Sequence, residues 1–332
     1  MKASRGGMCS PLTAGRPDWQ RRIMLSKNQK FWNAFARYVQ KPMLAMVAHQ
    51  PTARLIADFN ALLVYKTPRD LRMTPLKLTH DGTEIAATVC QSGPQPTGGT
   101  MLYLHGGAFM IGSLRMYRHL VASLARAANQ RGVYLPYDLA PENAFPKALD
   151  QATAAYRALA ADPDGGPVTL AGDSAGGNLV FALLHRICRD GLPQPAAVVA
   201  LSPIVDMRMR AGSRRANAKS DHLIPLRWAM RGREGYLAGH DPEDPEVSPV
   251  LGRFTGAAPC LFHVDETEIL FDDTQDMAAR LRADGVGTTV KITHGRTHVW
   301  HLNVGRSPEA DTAISEIGAF IRQTIAEAPN KA

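Results

Sequence analysis

At 332 residues, with 45% apolar and 20% charged side chains, the chain has the composition of a soluble globular protein with one large domain or two modest ones. Its net charge of +8 gathers at the front, where seven cations from Lys2 to Lys30 face only Asp18, but no aromatic-rich basic stretch, zinc spacing or RNA-binding signature supports a nucleic-acid partner. Cys9, Cys90, Cys188 and Cys260 are too scattered for a disulfide framework or a metal site, and no apolar run reaches membrane-spanning length.

Residues 1–30 read as a basic, loosely held arm. No apolar stretch follows its charges as in a secretory signal, so a cytoplasmic protein is expected. From Phe31 the pattern turns helical. Phe31, Phe35 and Tyr38 share one face, and Leu55, Phe59, Leu62 and Leu63 share another. Pro42 and Pro51 divide the stretch into two or three short helices, whose apolar faces are expected to pack on the core. Leu76–Leu78 and Glu84–Cys90 read as strands around the turn Asp81-Gly82, and residues 92–99 as a loop.

A strict alternation follows. Met101–Leu104 precedes a helix near 116–129, Gly132–Leu135 one near 147–160, and Val168–Ala171 one that starts near Ala175 and stops at Gly191-Leu192-Pro193. Ala197–Leu201, Cys260–Val264 and Thr289–Ile292 are further strands. Short apolar strands alternating with helices predict right-handed βαβ units and a mostly parallel sheet covered on both faces. Residues 207–240 break the rhythm with many arginines and a helical "PLRWAMRGREGYL". With residues 31–66 they are expected to form a helical cap.

Two glycine-rich stretches carry the chemistry. "LAGDSAGGNL" (170–179) sets Ser174 between a strand and a helix, with Gly172 and Gly176 two residues to either side. A serine there stands at the carboxyl end of a parallel strand, where open α/β sheets bind ligands. It needs small neighbours to hold a strained turn, and the helix N-terminus aims N–H groups such as that of Ala175 at developing negative charge. "LYLHGGAFMIGS" (102–113) also follows a strand, and its glycines let backbone N–H groups approach a substrate. Either stretch alone is a turn that occurs by chance; both, in this order, point to acyl transfer.

The chain resembles the hormone-sensitive lipase family of α/β-hydrolases, and within it bacterial carboxylesterases and lactone hydrolases. The resemblance rests on "HGGAF" (105–109), "YDLAPENAFPKALDQATAAYRAL" (137–159), "GDSAGGN" (172–178), "LSPIVDM" (201–207), "GHDPEDPEVSPV" (239–250), "EILFDD" (268–273) and "HVW" (298–300), and it spans about residues 70–325. Two positions depart from the family pattern. Ala108 replaces the third glycine of the loop, and Asp138 stands where an arginine is common, which puts a family ion pair in doubt. The resemblance implies an α/β-hydrolase fold, with residues 70–206 and 241–330 as the catalytic domain. It implies Ser174 as nucleophile, an oxyanion site of Gly106, Gly107, Ala108 and Ala175, and Phe109, Asp173, Val299 and Trp300 around the substrate.

The base is expected after the last strand, where His294, His298 and His301 stand. The family motif selects His298, before Val299-Trp300. Asp265, Glu266, Glu268, Asp272 and Asp273 follow the preceding strand, and the family spacing selects Glu268, with Asp265 as the alternative acid. The expected activity is hydrolysis of carboxylic esters of short to medium acyl chains, or of lactones, through an acyl-enzyme with no metal or organic cofactor. A membrane-associated lipase, an amidase or peptidase, and a non-enzymatic ligand-binding member are the alternatives, and a homodimer is compatible with the reading. The filled triad disfavours the non-enzymatic one.

Overall fold

The computed structural model describes residues 25–46 and 50–327. Its centre is an eight-stranded sheet: β1 (Arg72–His80), β2 (Thr83–Gln91), β3 (Thr100–Leu104), β4 (Arg131–Tyr134), β5 (Val168–Asp173), β6 (Ala197–Leu201), β7 (Cys260–Asp265) and β8 (Thr288–Thr293), in the order β1-β2-β4-β3-β5-β6-β7-β8. β2 is antiparallel to both β1 and β4, and all other neighbours are parallel. The continuous apolar runs become the interior strands: every residue of β3, β5, β6 and β7 is buried.

Two helical layers explain that burial. On one face α5 (Lys147–Ala160) and α6 (Ser174–Asp190) press Leu149, Tyr156, Leu179 and Leu183 onto the sheet. On the other, α4 (Leu114–Ala128) and α10 (Pro308–Glu327) contribute Leu120, Leu124, Ile317 and Ile321. Ser113 caps α4 by accepting from the Met116 N–H, and Gly191 closes α6 in the left-handed conformation at φ +63°. α9 (Phe271–Ala283) runs from β7 to β8.

The remaining helices gather towards the carboxyl ends of the strands. α1 (Lys27–Phe35), a π turn (Ala36–Gln40), α2 (Lys41–Met46) and α3 (Gln50–Val64) come from the front of the chain, and α7 (Ser213–Ala216) and α8 (Leu226–Leu237) from the irregular middle. Arg54 fastens α3 down, with Nε donating to the Met110 carbonyl and the guanidinium gripping Glu142. Of these, the π turn, α2, α3 and α8 stand over the ends of β3 and β5, where they line a cavity with Gly107 and Ser174, as a cap would; its boundaries at 31–66 and 207–240 remain our proposal.

Two expectations are corrected. The arm does not extend to residue 30, because Ser26 caps α1 and donates to Glu309 while Gln29 is buried against Ser307. Residues 1–24 lie outside the described part. Nor do the apolar faces of the front helices pack on the core: Phe31, Tyr38, Leu55, Phe59, Leu62 and Leu63 are all exposed. The helical period was right, but period alone does not say which side of a helix meets protein.

Candidate active site

Ser174 is the first residue of α6 and stands directly on the end of β5 with φ +51°, a left-handed backbone that an L-residue holds only under constraint. The constraint is crowding. A Cβ on Gly176 would run into the carbonyls of Leu104 and His105, and one on Gly172 would lie 2.7 Å from the Leu104 carbonyl. The turn that lifts Ser174 out of the sheet therefore requires those two glycines.

The loop after β3 faces this corner. Gly107, Ala108 and Phe109 run at φ +106°, +53° and +61°, so three successive peptides turn their N–H groups away from the paths a strand or helix would use. Among the described residues, no backbone bond occupies the N–H of Gly107 or of Ala108. The Ala175 N–H lies in the first turn of α6, where no intrahelical partner exists. Gly106 differs from the expectation: its N–H donates to Asp173 Oδ1 at 2.9 Å and is not free for a substrate oxygen. Ala108 fits where a third glycine was expected because Gly232 of α8 faces it. A Cβ there would come within 2.7 Å of the Ala108 methyl.

The loops after β7 and β8 bring together Glu268 and His298. Nδ1 of His298 is 2.5 Å from Glu268 Oε2. The other carboxylate oxygen accepts from the Asp265 N–H at 2.9 Å and from the Ser202 hydroxyl at 2.8 Å. Burial pulls His298 towards its neutral form, but the Glu268 charge and hydrogen bond outweigh it and the pKa is raised. Burial likewise raises Glu268, against the pull of His298. Such a pair fixes the imidazole with Nδ1 protonated and Nε2 bare. Asp265 is occupied elsewhere, accepting from Thr267, Thr293, Gly295 and Arg296 to knit the two loops together. Asp272 accepts from the Ser213 N–H, Asp273 is locked to buried Arg214, and His294 pairs with Glu266 at the surface.

Residues 101–302 match a family described as having the alpha/beta hydrolase fold. A bacterial esterase of the hormone-sensitive lipase family superposes with a TM-score of 0.82 at 32% identity, covering 90% of this chain and 99% of that one. An acetyl-hydrolase of Streptomyces hygroscopicus is 38% identical over 231 residues, 69% of this chain and 77% of the relative. This chain belongs to the hormone-sensitive lipase family of α/β-hydrolases. Like its relatives it is a carboxylic ester hydrolase. An ethyl acetate hydrolase of Pseudomonas putida is 30% identical over 298 residues, 86% of this chain and 92% of the relative.

In this family member two cavities meet at Ser174. The larger, about 100 Å³, is lined by Ser174, His298, Gly107, Val299 and cap residues including Met43, Leu44 and Ala57. The smaller, about 20 Å³, lies between Ala108, Phe109, Ala175, Ile204, Met207 and Ala229 and does not include His298. Ile224 and Trp228 border both.

Of the expected pocket residues, Val299 lines the larger cavity and Phe109 the smaller, its ring stacked on Tyr236 at 3.7 Å. Trp300 lines neither of these two cavities. It is fully buried beside His263 and His301, because the turn at Val299 (φ +50°) sends the next side chain into the core. Asp173 borders the larger cavity, but both its oxygens are taken by Tyr103, Tyr117 and Gly106. Asp138 forms no family-type ion pair among the described residues and exchanges two hydrogen bonds with Gln151.

Sequence reasoning missed Ser202, Asp221 and Trp228. Ser202 stands in the quoted "LSPIVDM" stretch, whose role was unassigned. Asp221 accepts from the Ile224 and Ile269 N–H groups, bracing the Glu268 loop against the cap. No spacing signal marks it. No helix of the described residues is long and apolar enough to cross a membrane.

Proposed function

We propose that the chain hydrolyses acetyl and other short-chain carboxylic esters through a covalent acyl-enzyme on Ser174, His298 and Glu268. The observation that carries the reading is that Ser174 and His298 line one cavity while Glu268 holds the far nitrogen of His298. His298 takes the Ser174 proton as Oγ attacks the ester carbonyl. The N–H groups of Gly107, Ala108 and Ala175 receive the oxyanion. His298 then protonates the departing alcohol and, in the second half, activates the water that frees the acid.

The position of His298 supports one use of the two cavities. The group that protonates the alcohol must lie beside it, so the alcohol occupies the larger cavity that His298 lines, and the acyl chain turns into the smaller one. A cavity of about 20 Å³ suits a methyl group or little more. The named activities of the acetyl-hydrolase and ethyl acetate hydrolase relatives agree with a short acyl group. Lactones, which hold acyl and alcohol parts in one ring, belong in the test rather than in the reading.

Ser174→Ala is expected to fold normally and lose at least about 10⁴ in kcat on p-nitrophenyl acetate. An organophosphonate should label the peptide containing Ser174. A panel of acetate, butyrate, hexanoate and laurate esters, with an anilide and a lactone, should rank acetate or butyrate first in kcat/KM. A normally active Ala variant, or a preference for laurate, would overturn the assignment.

A further inference from the structure

Helix α3 is amphipathic in an unexpected sense. Ala53, Ala61 and Val64 are buried, whereas Leu55, Phe59, Leu62 and Leu63, at i, i+4, i+7 and i+8, form one stripe that is 51–72% exposed. The first helices repeat the pattern, with Phe31, Tyr38 and Val39 at 46–75%. Every exposed large apolar side chain of the described residues lies between Phe31 and Leu63, apart from Met73 and Ile292. Such a concentration marks a contact surface rather than chance exposure.

Charge is divided along the same line. Residues 1–66 hold eleven Lys and Arg against Asp18 and Asp58, a net +9, while the rest of the chain holds 27 against 28 acids, a net −1. The whole excess of the protein therefore sits on the segment that carries the stripe. Lys27, Lys30 and Lys66 of this segment are exposed, and the 24 residues before the described part add five cations and one acid.

That distribution discriminates between occupants. A second copy would set one +9 segment against another, and residues 1–24 folded back would set +4 against +5. Both oppose like charge across an apolar contact. An occupant that is apolar beneath and anionic above satisfies both features, as does the boundary of an acidic bilayer.

We propose that α1–α3 dock this enzyme on an anionic phospholipid surface. Leu55, Phe59, Leu62 and Leu63 enter the headgroup–acyl boundary, and the cations meet lipid phosphates. The larger cavity, lined by Met43 and Leu44 of α2 and by Ala57 and Asn60 on the side of α3 away from the stripe, then lies beneath the docked helices.

The test is co-sedimentation of the full chain with vesicles of phosphatidylcholine alone and of phosphatidylcholine mixed with phosphatidylglycerol, at low and high salt. Each Lys or Arg at the surface is worth roughly a fivefold change in partitioning, so the mixed vesicles should bind at least about tenfold more protein, and salt should reverse most of it. The triple variant Leu55→Ser, Phe59→Ser, Leu63→Ser should lose that binding. None of the three lines a cavity at Ser174, so its hydrolysis of p-nitrophenyl acetate without vesicles should match wild type. That assay separates a failed docking surface from a failed catalytic reading. Absence of vesicle binding by the intact chain, or binding that the triple variant keeps, overturns the proposal. So does a wild-type dimer, measured by light scattering, that becomes monomeric in the variant without any vesicle binding, and so does binding only to an acidic protein.

Discussion

Replacing Glu268 with Gln probes the proposed acid while preserving its shape. The carboxylate faces three donors: His298 Nδ1–H at 2.5 Å, the Asp265 N–H at 2.9 Å and the Ser202 hydroxyl at 2.8 Å. A glutamine has one oxygen to offer. If that oxygen meets His298, the amide NH₂ faces the Asp265 N–H, a buried donor-to-donor contact costing about 1–3 kcal/mol of stability. If the NH₂ meets His298, the ring must present a bare Nδ1 and carry its proton on Nε2, the wrong tautomer for a base. Either way the charge that supports the imidazolium is lost. Serine proteases lose about 10⁴ in kcat from the equivalent change, which is about 5.4 kcal/mol of barrier. We expect kcat for p-nitrophenyl acetate to fall by roughly 10³ to 10⁴ with KM little changed. Asp265→Asn should loosen the loops and lower Tm, yet keep kcat within about tenfold, since Asp265 holds Thr267, Thr293, Gly295 and Arg296. A folded Glu268→Gln enzyme within tenfold of wild type, or an equal loss in Asp265→Asn, refutes the reasoning.

The pH profile gives a second reading of the same pair. The base works only when neutral, and Glu268 holds the His298 pKa above its ordinary 6.5, so the acidic limb of kcat/KM should lie above that value and move down in Glu268→Gln, where burial acts alone. Gly232→Ala should press on Ala108 and lower kcat, and Ala108→Gly should restore part of it, because one of the two close contacts is the Ala108 methyl. Ala229→Leu should fill the smaller cavity and cut kcat/KM for butyrate more than for acetate, at about 1–3 kcal/mol of overpacking measured by thermal melting. Removal of residues 1–24 should leave Tm and solution esterase activity unchanged, whereas removal of 1–30 should lower Tm, because Ser26 and Gln29 are bonded to Glu309 and Ser307.

The parallel sheet was legible because its strands are continuous apolar runs bounded by helices of ordinary length. Ala197–Leu201 and the helix 147–160 coincide with the observed elements to the residue. Ser174 was legible for a related reason, since a left-handed serine between close-packed backbones leaves glycine as the only neighbour at 172 and 176. What the sequence hides is direction. Nothing in "HVW" reveals that Val299 turns left-handed and sends Trp300 inward, and nothing in the helical period of residues 50–64 reveals that its apolar stripe faces outward. Gly106 was misjudged because a glycine's N–H can serve a substrate or a neighbour equally well, and the neighbour here is 67 residues away in the chain.

That neighbour, Asp173, explains how two distant loops become one site. Its carboxylate is buried and accepts from Tyr103 at 2.8 Å, Gly106 at 2.9 Å and Tyr117 at 3.1 Å. Burial pushes its pKa up to about 6 in spite of those donors and of nearby His298. An acid raised in this way favours the native state most at low pH, and that contribution is lost as pH rises through the folded value, so at neutral pH the ionised group lowers stability. The fold keeps it nonetheless at the residue that precedes Ser174, with one oxygen on the first N–H of the facing loop. The carboxylate thus ties the Ser174 corner to the peptides that follow Gly106 and holds Gly107 and Ala108 near Ser174. In the proposed mechanism such a tether serves catalysis at a cost in stability, because oxyanion stabilisation depends on donors that need no reorganisation.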